Sequence, residues 1–296
     1  MHLLSRLALL ACLLLPLGAH ARTPDPISGK LIFHAAGGCG CHTDSERNGP
    51  PLAGGRPLPT PFGTFYSNNI TPDPETGIGH WSDSDFLQAM VEGVGPDGTH
   101  YFPSFPYTSF SKMTEEDLLH LKDYLFSLPP VRQVNRPHNL PFPFSLRAGA
   151  WFWKLLYHHP EPLLDDPKQS SSWNRGRYLT EAVAHCGECH TPRNLLGALR
   201  PELAYAGSKE GPEGELAPNI TPDPETGIGK WSASDLTYAL QTGMVPDGDF
   251  LGGLMGKAIE HYQELPESDL QTISEYLLSL PPITNQVREP KPESDW

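Results

Sequence analysis

Two cysteines and a histidine at positions 186–190 form the motif with the clearest chemistry in this 296-residue chain. Cys186 and Cys189 are three residues apart, and His190 follows directly. On one helical turn, residues i and i+3 share a face, so both thiols can reach the two vinyl groups along one edge of a porphyrin. His190 then falls beneath the iron and can bind it. A CxxC pair alone could be a redox dithiol or half of a zinc site, but the adjoining histidine favours covalent attachment of haem.

A shorter version of the motif stands earlier in the chain, at Cys39, Cys41 and His42. An ordinary motif would have its first cysteine at the position of Gly38. Cys39 and Cys41 are only two residues apart, and on a helix they would point roughly 200° away from each other. Both can bond one porphyrin edge only if the turn is distorted, which the neighbouring glycines permit. We therefore expect a thioether at Cys41 and leave Cys39 open. Loss of haem from this copy is the alternative, which the retained His42 opposes.

The composition indicates small helical domains and a negatively charged surface. Pro and Gly are frequent, at 33 and 28 residues, which suits short helices joined by long ordered loops. The formal net charge is −14. A chain this acidic is not expected to bind nucleic acid, because the phosphate backbone would repel it. The charge fits a protein that meets other proteins through charge complementarity.

The first residues have the pattern of an export signal. Arg6 precedes an apolar run at residues 7–17, and Ala-His-Ala at residues 19–21 has the form of a cleavage site. The sequence therefore predicts a signal peptide over residues 1–21 and an exported mature chain. Four cysteines remain after its removal, and all of them lie in the two motifs. We expect them to form thioether bonds rather than disulfides.

The chain contains an internal duplication. Residues 69–79 recur without change at residues 219–229, and the segment at 124–130 recurs at 276–282 with one substitution. The offset between the copies is 148 residues at the two motif histidines, 150 through the loop and 152 at the last segment. Two homologous domains with small insertions explain this drift. The predicted divisions are a first domain at 22–132, a linker at 133–172, a second domain at 173–284 and a polar tail at 285–296.

Helical patterns dominate both copies, so the predicted fold class is all-α. Helices are expected before each motif, at residues 27–36 and 177–184. Ser82 and Thr114 begin two further helices in the first copy, each with an aspartate three residues later, and the last helix carries leucines at three- and four-residue spacing. An apolar segment at 148–157 is interpreted as a linker helix packed between the domains. A docking surface for a partner subunit is the alternative.

These motifs resemble those of the diheme c-type cytochromes of the bacterial periplasm, including the cytochrome subunits of alcohol and gluconate-type dehydrogenases. Three stretches carry the resemblance: residues 174–179, residues 185–194 and the duplicated Asn-Ile-Thr-Pro-Asp loop. The resemblance implies two tandem cytochrome c domains, each with one covalent haem between its first and last helices. It further implies that Arg193, Asn69 and Asn219 either bond haem propionates or hold the loops.

The resemblance also directs attention to the sixth iron ligands, which are commonly methionines. Met255 is predicted to lie in a glycine-rich loop before the final helix, where a cytochrome c brings its distal methionine over the iron, and packing in the core is the alternative. In the first copy, relatives often have a methionine where this chain has Phe105, which cannot bind iron. Met113 is the predicted ligand there, although Leu265 in the matching place favours a packing role. His100 or an open sixth position remain alternatives.

The function predicted from these residues is electron transfer. The donor is expected to be a dehydrogenase or a quinol-linked protein, and the acceptor an oxidase or another cytochrome. A membrane-associated complex is also compatible with the resemblance. The alternative function is enzymatic: with an open sixth position at the first haem, the protein could be peroxidase-like or oxidise thiosulfate. The carrier function is favoured over the enzyme.

Overall fold

The computed structural model describes residues 22–288 of the chain. The predicted signal peptide at residues 1–21 and the last part of the predicted tail, residues 289–296, lie outside the described residues. The described part is mostly helical, which confirms the predicted all-α class. Its α-helices are α1 Pro26–Ala35, α2 Asp83–Leu87, α3 Tyr107–Phe110, α4 Glu115–Ser127, α5 Arg147–Tyr157, α6 Ser171–Tyr178, α7 Gly187–His190, α8 Ala233–Thr242, α9 Gly253–Tyr262 and α10 Glu267–Ser279.

Shorter elements connect these helices. A hairpin that the sequence pattern did not predict pairs β1 (Pro57–Thr60) with β2 (Gly63–Tyr66) in antiparallel fashion. Single π-helical turns continue α2 and α6, at Gln88–Glu92 and Leu179–Val183 respectively. The remaining elements are 3₁₀ turns at Gly37–His42, Ser45–Arg47, Pro201–Leu203 and Pro212–Gly214.

In each repeat, the helix before the motif crosses the last helix of the same repeat. Helix α1 packs on α4, and α6 packs on α10. A glycine stands at each crossing. A Cβ atom at Gly29 would lie 1.8 Å from the carbonyl oxygen of His120, and one at Gly176 would lie 1.9 Å from that of Thr272. Only glycine allows the two backbones to come this close, so the two crossings are equivalent points in the repeats.

The helix starts that the sequence predicts are present. Ser82 accepts a hydrogen bond from the backbone N–H of Asp85 at 3.2 Å, and the Asp85 carboxylate accepts one from the Ser82 N–H in return. Ser232 and Asp235 form the same reciprocal pair in the second repeat. Each cap satisfies backbone donors that the helix itself leaves free and stabilises the fold by about 1 kcal/mol.

The segment around Met255 is a helix rather than the predicted loop. The N–H of Leu254, in the first turn of α9, donates a 2.9 Å hydrogen bond to a carboxylate oxygen of Glu215. This acidic side chain caps the positive end of the helix, which favours helix formation there. Because the cap comes from 39 residues earlier in the chain, no local sequence pattern indicates it.

The linker helix α5 contacts both repeats: the Trp153 ring lies 6.3 Å from that of Tyr107, and its Nε1 donates to the carbonyl oxygen of Leu196 at 2.9 Å. Among its residues, Ala150 and Lys154 are buried. The Nζ atom of Lys154 donates to the carbonyl oxygens of Glu92 (2.7 Å) and Gly93 (2.5 Å), so the lysine fastens α5 to the first repeat. Trp153 is half-buried, but four other large apolar side chains of the helix are exposed: Trp151, Phe152, Leu155 and Leu156.

The chain that follows each final helix packs back on its own repeat. The side-chain amide of Gln133 donates to the carbonyl oxygens of Ala53 and Gly54, each at 3.0 Å. The side-chain amide of Asn285 donates in the same way to Ala206 at 3.0 Å. These amides join the end of each repeat to the loop behind its motif. Within residues 22–288, no helix is long and apolar enough to cross a bilayer.

Candidate haem-attachment sites

The second motif lies on a single helical turn. The backbone N–H of His190 donates to the carbonyl oxygen of Cys186 at 3.0 Å, which closes the turn and places Cys186 and Cys189 on neighbouring positions of one face. Neither thiol is in a disulfide. Burial raises the pKa of both thiols to about 12, so they stay protonated near neutral pH. A thiol S–H can add across a vinyl C=C, with sulfur bonding one carbon and hydrogen the other.

Both motif histidines are held in the same way. The Nδ1 atom of His190 is 2.8 Å from the carbonyl oxygen of Pro218, and that of His42 is 2.7 Å from the carbonyl oxygen of Asn68. A carbonyl can only accept, so Nδ1 carries the hydrogen and Nε2 keeps a free lone pair. Burial lowers the pKa of both imidazoles, which keeps them neutral. Histidines that bind metals commonly have such a partner on the other ring nitrogen.

The first motif forms an irregular turn. Gly37, Gly38 and Cys39 have φ values of 69°, 67° and 51°, so three consecutive residues are in the left-handed region. The distortion lies in the chain that leads into Cys39 and at Cys39 itself, and Gly40, between the two cysteines, is not in the left-handed region. Cys39 packs against the same core as Cys186. Burial and the neighbouring Cys41 thiol raise the pKa of Cys39 to about 12.

The crossing glycines define the register between the two motifs. Cys39 follows Gly29 by ten residues, and Cys186 follows Gly176 by ten residues. Cys39 is therefore the structural counterpart of Cys186. The first motif therefore lacks one residue between its two cysteines. Gly38, where spacing from His42 suggested a missing cysteine, is not the position of that missing residue.

Gly38 lies against a helix of the second repeat. A Cβ atom built on Gly38 would be 2.0 Å from the ring of His261, which belongs to α9. His261 in turn approaches His34 of α1, with their Nδ1 atoms 3.2 Å apart. The second repeat therefore packs on the attachment turn of the first, and no side chain fits at position 38 in this arrangement.

A buried carboxylate joins the second motif to the first repeat. Glu188, between the two cysteines, accepts hydrogen bonds from the hydroxyls of Ser109 (2.8 Å) and Thr108 (3.0 Å) in α3. Arg193 pairs with the same carboxylate at 2.6 Å. Burial disfavours the ionised form of Glu188, but Arg193 and Ser109 outweigh it and lower the pKa. The guanidinium of Arg193, one of the groups considered for propionates, is thus engaged in this contact.

An ion pair crosses between the repeats beside the first motif. Arg56 donates to the carbonyl oxygen of Gly40 at 3.2 Å and pairs with Glu213 of the second repeat at 2.7 Å. The two side chains are only 8% and 19% exposed. Because Arg56 also bonds the backbone between Cys39 and Cys41, the pair joins the first attachment turn to the second repeat.

The duplicated asparagines hold loops. The Nδ2 atom of Asn69 donates to the carbonyl oxygen of Val131, and that of Asn219 to the carbonyl oxygen of Ile283, both at 2.7 Å. The Oδ1 atom of Asn219 accepts from the N–H and the hydroxyl of Thr221. These amides fix the end of each repeat to its loop, which is the second of the two roles considered for them.

The predicted sixth ligands lie in different surroundings. Met255 is half-buried in the first turn of α9 and packs against the core. Met113 is 3% exposed within the core, directly before the cap of α4. His100 accepts a 3.2 Å hydrogen bond at Nδ1 from Lys154 of the linker helix. Covalent haem needs free thiols and a neutral imidazole with a free Nε2. Both motif segments provide these groups, so haem fits both segments whichever residue is the sixth ligand.

Comparison with known proteins gives several extensive matches and no match to a protein-family model. The chain is 40% identical over 265 residues to a diheme cytochrome c-type protein of Cereibacter sphaeroides, covering 88% of each chain. It is 40% identical to the fructose dehydrogenase cytochrome subunit of Gluconobacter japonicus and 37% identical to the gluconate 2-dehydrogenase cytochrome c subunit of Pantoea cypripedii. The matches span 90% and 85% of this chain but only 54% and 58% of those subunits. With the motif geometry, they confirm the resemblance, and the chain belongs to the diheme c-type cytochromes.

Proposed function

We propose that this chain binds two covalent haems and carries electrons from a dehydrogenase or quinol-linked donor to a terminal acceptor. The observation that carries the proposal is the repeated hydrogen bond from the motif histidine to a backbone carbonyl, at 2.7 Å for His42 and 2.8 Å for His190. It orients both imidazoles with Nε2 free to bind metal. When bound, haem supplies one-electron chemistry at its iron.

Cys186 and Cys189 would attach the second haem, and His190 would bind its iron. We assign Met255 as its sixth ligand, because its thioether lies in the glycine-rich first turn of α9. The corresponding first-haem residues are Cys41 and His42, joined by Cys39. The structural equivalence of Cys39 with Cys186 supports a thioether at both cysteines of the first motif.

The protein's own residues prepare both sites for an electron carrier. Burial keeps the thiols protonated and the imidazoles neutral, and the crossing helices fix the segment before each motif. We propose the two cytochrome c domains at residues 22–132 and 173–284, with 133–172 as linker. Residues 133–139 pack on the first domain, since Thr64 and Asn139 exchange backbone hydrogen bonds of 2.9 Å.

The proposed partner is a dehydrogenase, and the proposed location is the periplasm. The proposed partner is supported by three kinds of relatives, which are cytochrome subunits of fructose, gluconate and alcohol dehydrogenases. The predicted signal at residues 1–21 supports export. The acceptor, an oxidase or another cytochrome, follows from the carrier function alone.

Intact-protein mass spectrometry of the matured protein tests the haem count. The full chain should carry two haems, and the double variant Cys186→Ala/Cys189→Ala should carry one. The double variant Cys39→Ala/Cys41→Ala should also carry one haem and serves as the matched experiment for the first site. A single haem in the unaltered protein would contradict the proposal.

Stopped-flow mixing tests the carrier function. The reduced protein should pass electrons to a ferric mitochondrial cytochrome c, and the process should slow as salt screens the acidic surface. Sustained turnover of hydrogen peroxide or thiosulfate, with no transfer to the cytochrome, would instead favour the enzymatic alternative.

A further inference from the structure

The two repeats differ at the place where the second one presents Met255. A β-bridge joins Val94 to His100 in the first repeat, and the equivalent bridge joins Met244 to Phe250 in the second. One residue further on, the N–H of Tyr101 donates to the carbonyl oxygen of Gly93. The N–H of Leu251 donates in the same way to Gly243, and both distances are 2.8 Å. These contacts fix the register of the two segments at an offset of 150 residues.

In this register Phe105 is the counterpart of Met255. Each lies four residues after its anchored position, Tyr101 or Leu251. Both side chains are half-buried and pack against the core. The ring of Phe105 lies 5.6 Å from that of Phe110, so it belongs to an aromatic cluster. The first repeat therefore presents a hydrocarbon ring where the second presents a sulfur.

The methionines of the first repeat have packing roles of their own. Met113 and Leu265 are equivalent: each directly precedes the N-cap of the last helix and donates from its N–H to the residue three positions before, at 2.9 and 3.0 Å. They are 3% and 6% exposed. Met90 and Leu240 form a second such pair, each 7% exposed. A leucine fills each place in the other repeat, so neither position requires a sulfur.

The nearby histidines have partners at Nδ1. Lys154 of the linker helix donates to Nδ1 of His100. The N–H of Tyr66 donates to Nδ1 of His138 at 3.1 Å. Nδ1 of His34 lies 3.2 Å from that of His261, while Nε2 of His34 is buried without a hydrogen-bond partner. These contacts orient His100 toward the linker helix, His138 toward the hairpin and His34 toward α9.

We propose that the protein gives the first haem no sixth ligand and that this position binds a small neutral diatomic ligand of the carbon monoxide class. The inference rests on the proposed function, since it requires haem at the first motif. Phe105 closes the region with an apolar ring, which favours neutral diatomic molecules over anions. The first and second sites therefore differ in ligand binding and not only in attachment.

Titration of the dithionite-reduced protein with carbon monoxide, followed by absorption spectroscopy, tests this inference. The unaltered protein should bind one carbon monoxide per chain. Phe105→Met supplies the missing sulfur, and its stoichiometry should fall to zero. Met255→Phe, the matched change in the second repeat, should raise it to two. Met113→Leu should leave it at one, because leucine already fills the equivalent place.

A haem count by mass spectrometry accompanies each titration and separates the two proposals. Fewer than two haems in the unaltered protein would overturn the proposed function. Two haems with no carbon monoxide binding would overturn the present inference alone. Electron paramagnetic resonance of the oxidised protein gives a second readout: one high-spin and one low-spin iron support the inference, and two low-spin irons contradict it.

Discussion

The two repeats are alike in the scaffold that holds the motif histidine and different at the cysteines and at the segment that presents Phe105 or Met255. The histidine–carbonyl bond, the crossing glycine and the asparagine-held loop recur with distances that agree within 0.1 Å. The turn between the cysteines and the segment with Phe105 or Met255 do not recur. The comparison shows that the scaffold that orients the histidine varies less between the repeats than the groups proposed to attach haem or complete its coordination.

The largest effect is expected where the repeats are most alike, at the helix crossings. Gly29→Ala and Gly176→Ala would each place a methyl group against a backbone carbonyl, and each should lower the free energy of unfolding by at least about 3 kcal/mol. Urea unfolding of the matured protein measures the loss. Gly149→Ala is the control: it lies in helix α5 with no atom within 4 Å of the new methyl, so it should stabilise by about 0.5 kcal/mol. Unequal losses at the two crossings would show that they are not equivalent.

The next effect concerns the Arg56–Glu213 ion pair beside the first motif. Arg56→Met removes the guanidinium beside Glu213 and Gly40 and should cost about 2 kcal/mol in urea unfolding, because it leaves a mostly buried carboxylate without its partner. The double variant Arg56→Met/Glu213→Gln should recover most of the loss. Additive losses in the double variant would show that the two side chains are not coupled.

A smaller effect is expected at the attachment turn of the first motif. Gly38→Ala places a methyl group in the left-handed region and against the His261 ring, and should cost about 1 to 2 kcal/mol and reduce loading of the first haem. Adding His261→Ala should restore part of the loading, since it removes the clash but not the backbone strain. Mass spectrometry gives the loading. Normal loading of the first haem in Gly38→Ala would show that the turn does not lie against α9.

The smallest effect is a pH-dependent change in stability that should differ between the duplicated loops at residues 69–79 and 219–229. The hydroxyl of Thr284 and the N–H of Thr226 donate to Asp223 and lower its pKa to about 2. A folded-state pKa below the unfolded value of 3.8 gives stability above about pH 4 that is lost as the pH falls toward 2. Thr284→Val should therefore lower the free energy of unfolding at pH 7 and leave it unchanged near pH 2. A loss of the same size at both pH values would show that the Asp223 carboxylate is not the cause.

The control for this experiment lies in the first repeat. Arg132 stands where the second repeat has Thr284, and it forms an exposed ion pair with Glu75. Arg132→Val should change the free energy of unfolding by no more than a few tenths of a kcal/mol. A pH-dependent loss as large as that of Thr284→Val would show that the two loops do not differ as described.

Local sequence patterns predicted the parts of the fold that local contacts determine. The capping residues Ser82 and Ser232, the helices before the motifs and the placement of His42 and His190 were readable in this way. Helix α9 was not, because its cap comes from Glu215, far away in the chain.

Other features depended on contacts that sequence spacing does not reveal. The equivalence of Cys39 with Cys186 required the crossing glycines as reference points. The exposure of α5 follows from the backbone carbonyls that bind Lys154. In each case, the deciding partner is distant in sequence or is a backbone group common to every residue.

Each attachment segment is partly built by the opposite repeat. His261 covers the turn at Gly38, and α3 supplies the hydroxyls that bind Glu188. A fragment containing one repeat would leave the Glu188 carboxylate without two of its hydrogen-bond donors, or the turn at Gly38 uncovered. The ancestral unit that was duplicated has therefore become two interdependent parts, and cutting the polypeptide in the linker should not release a pair of autonomous cytochromes.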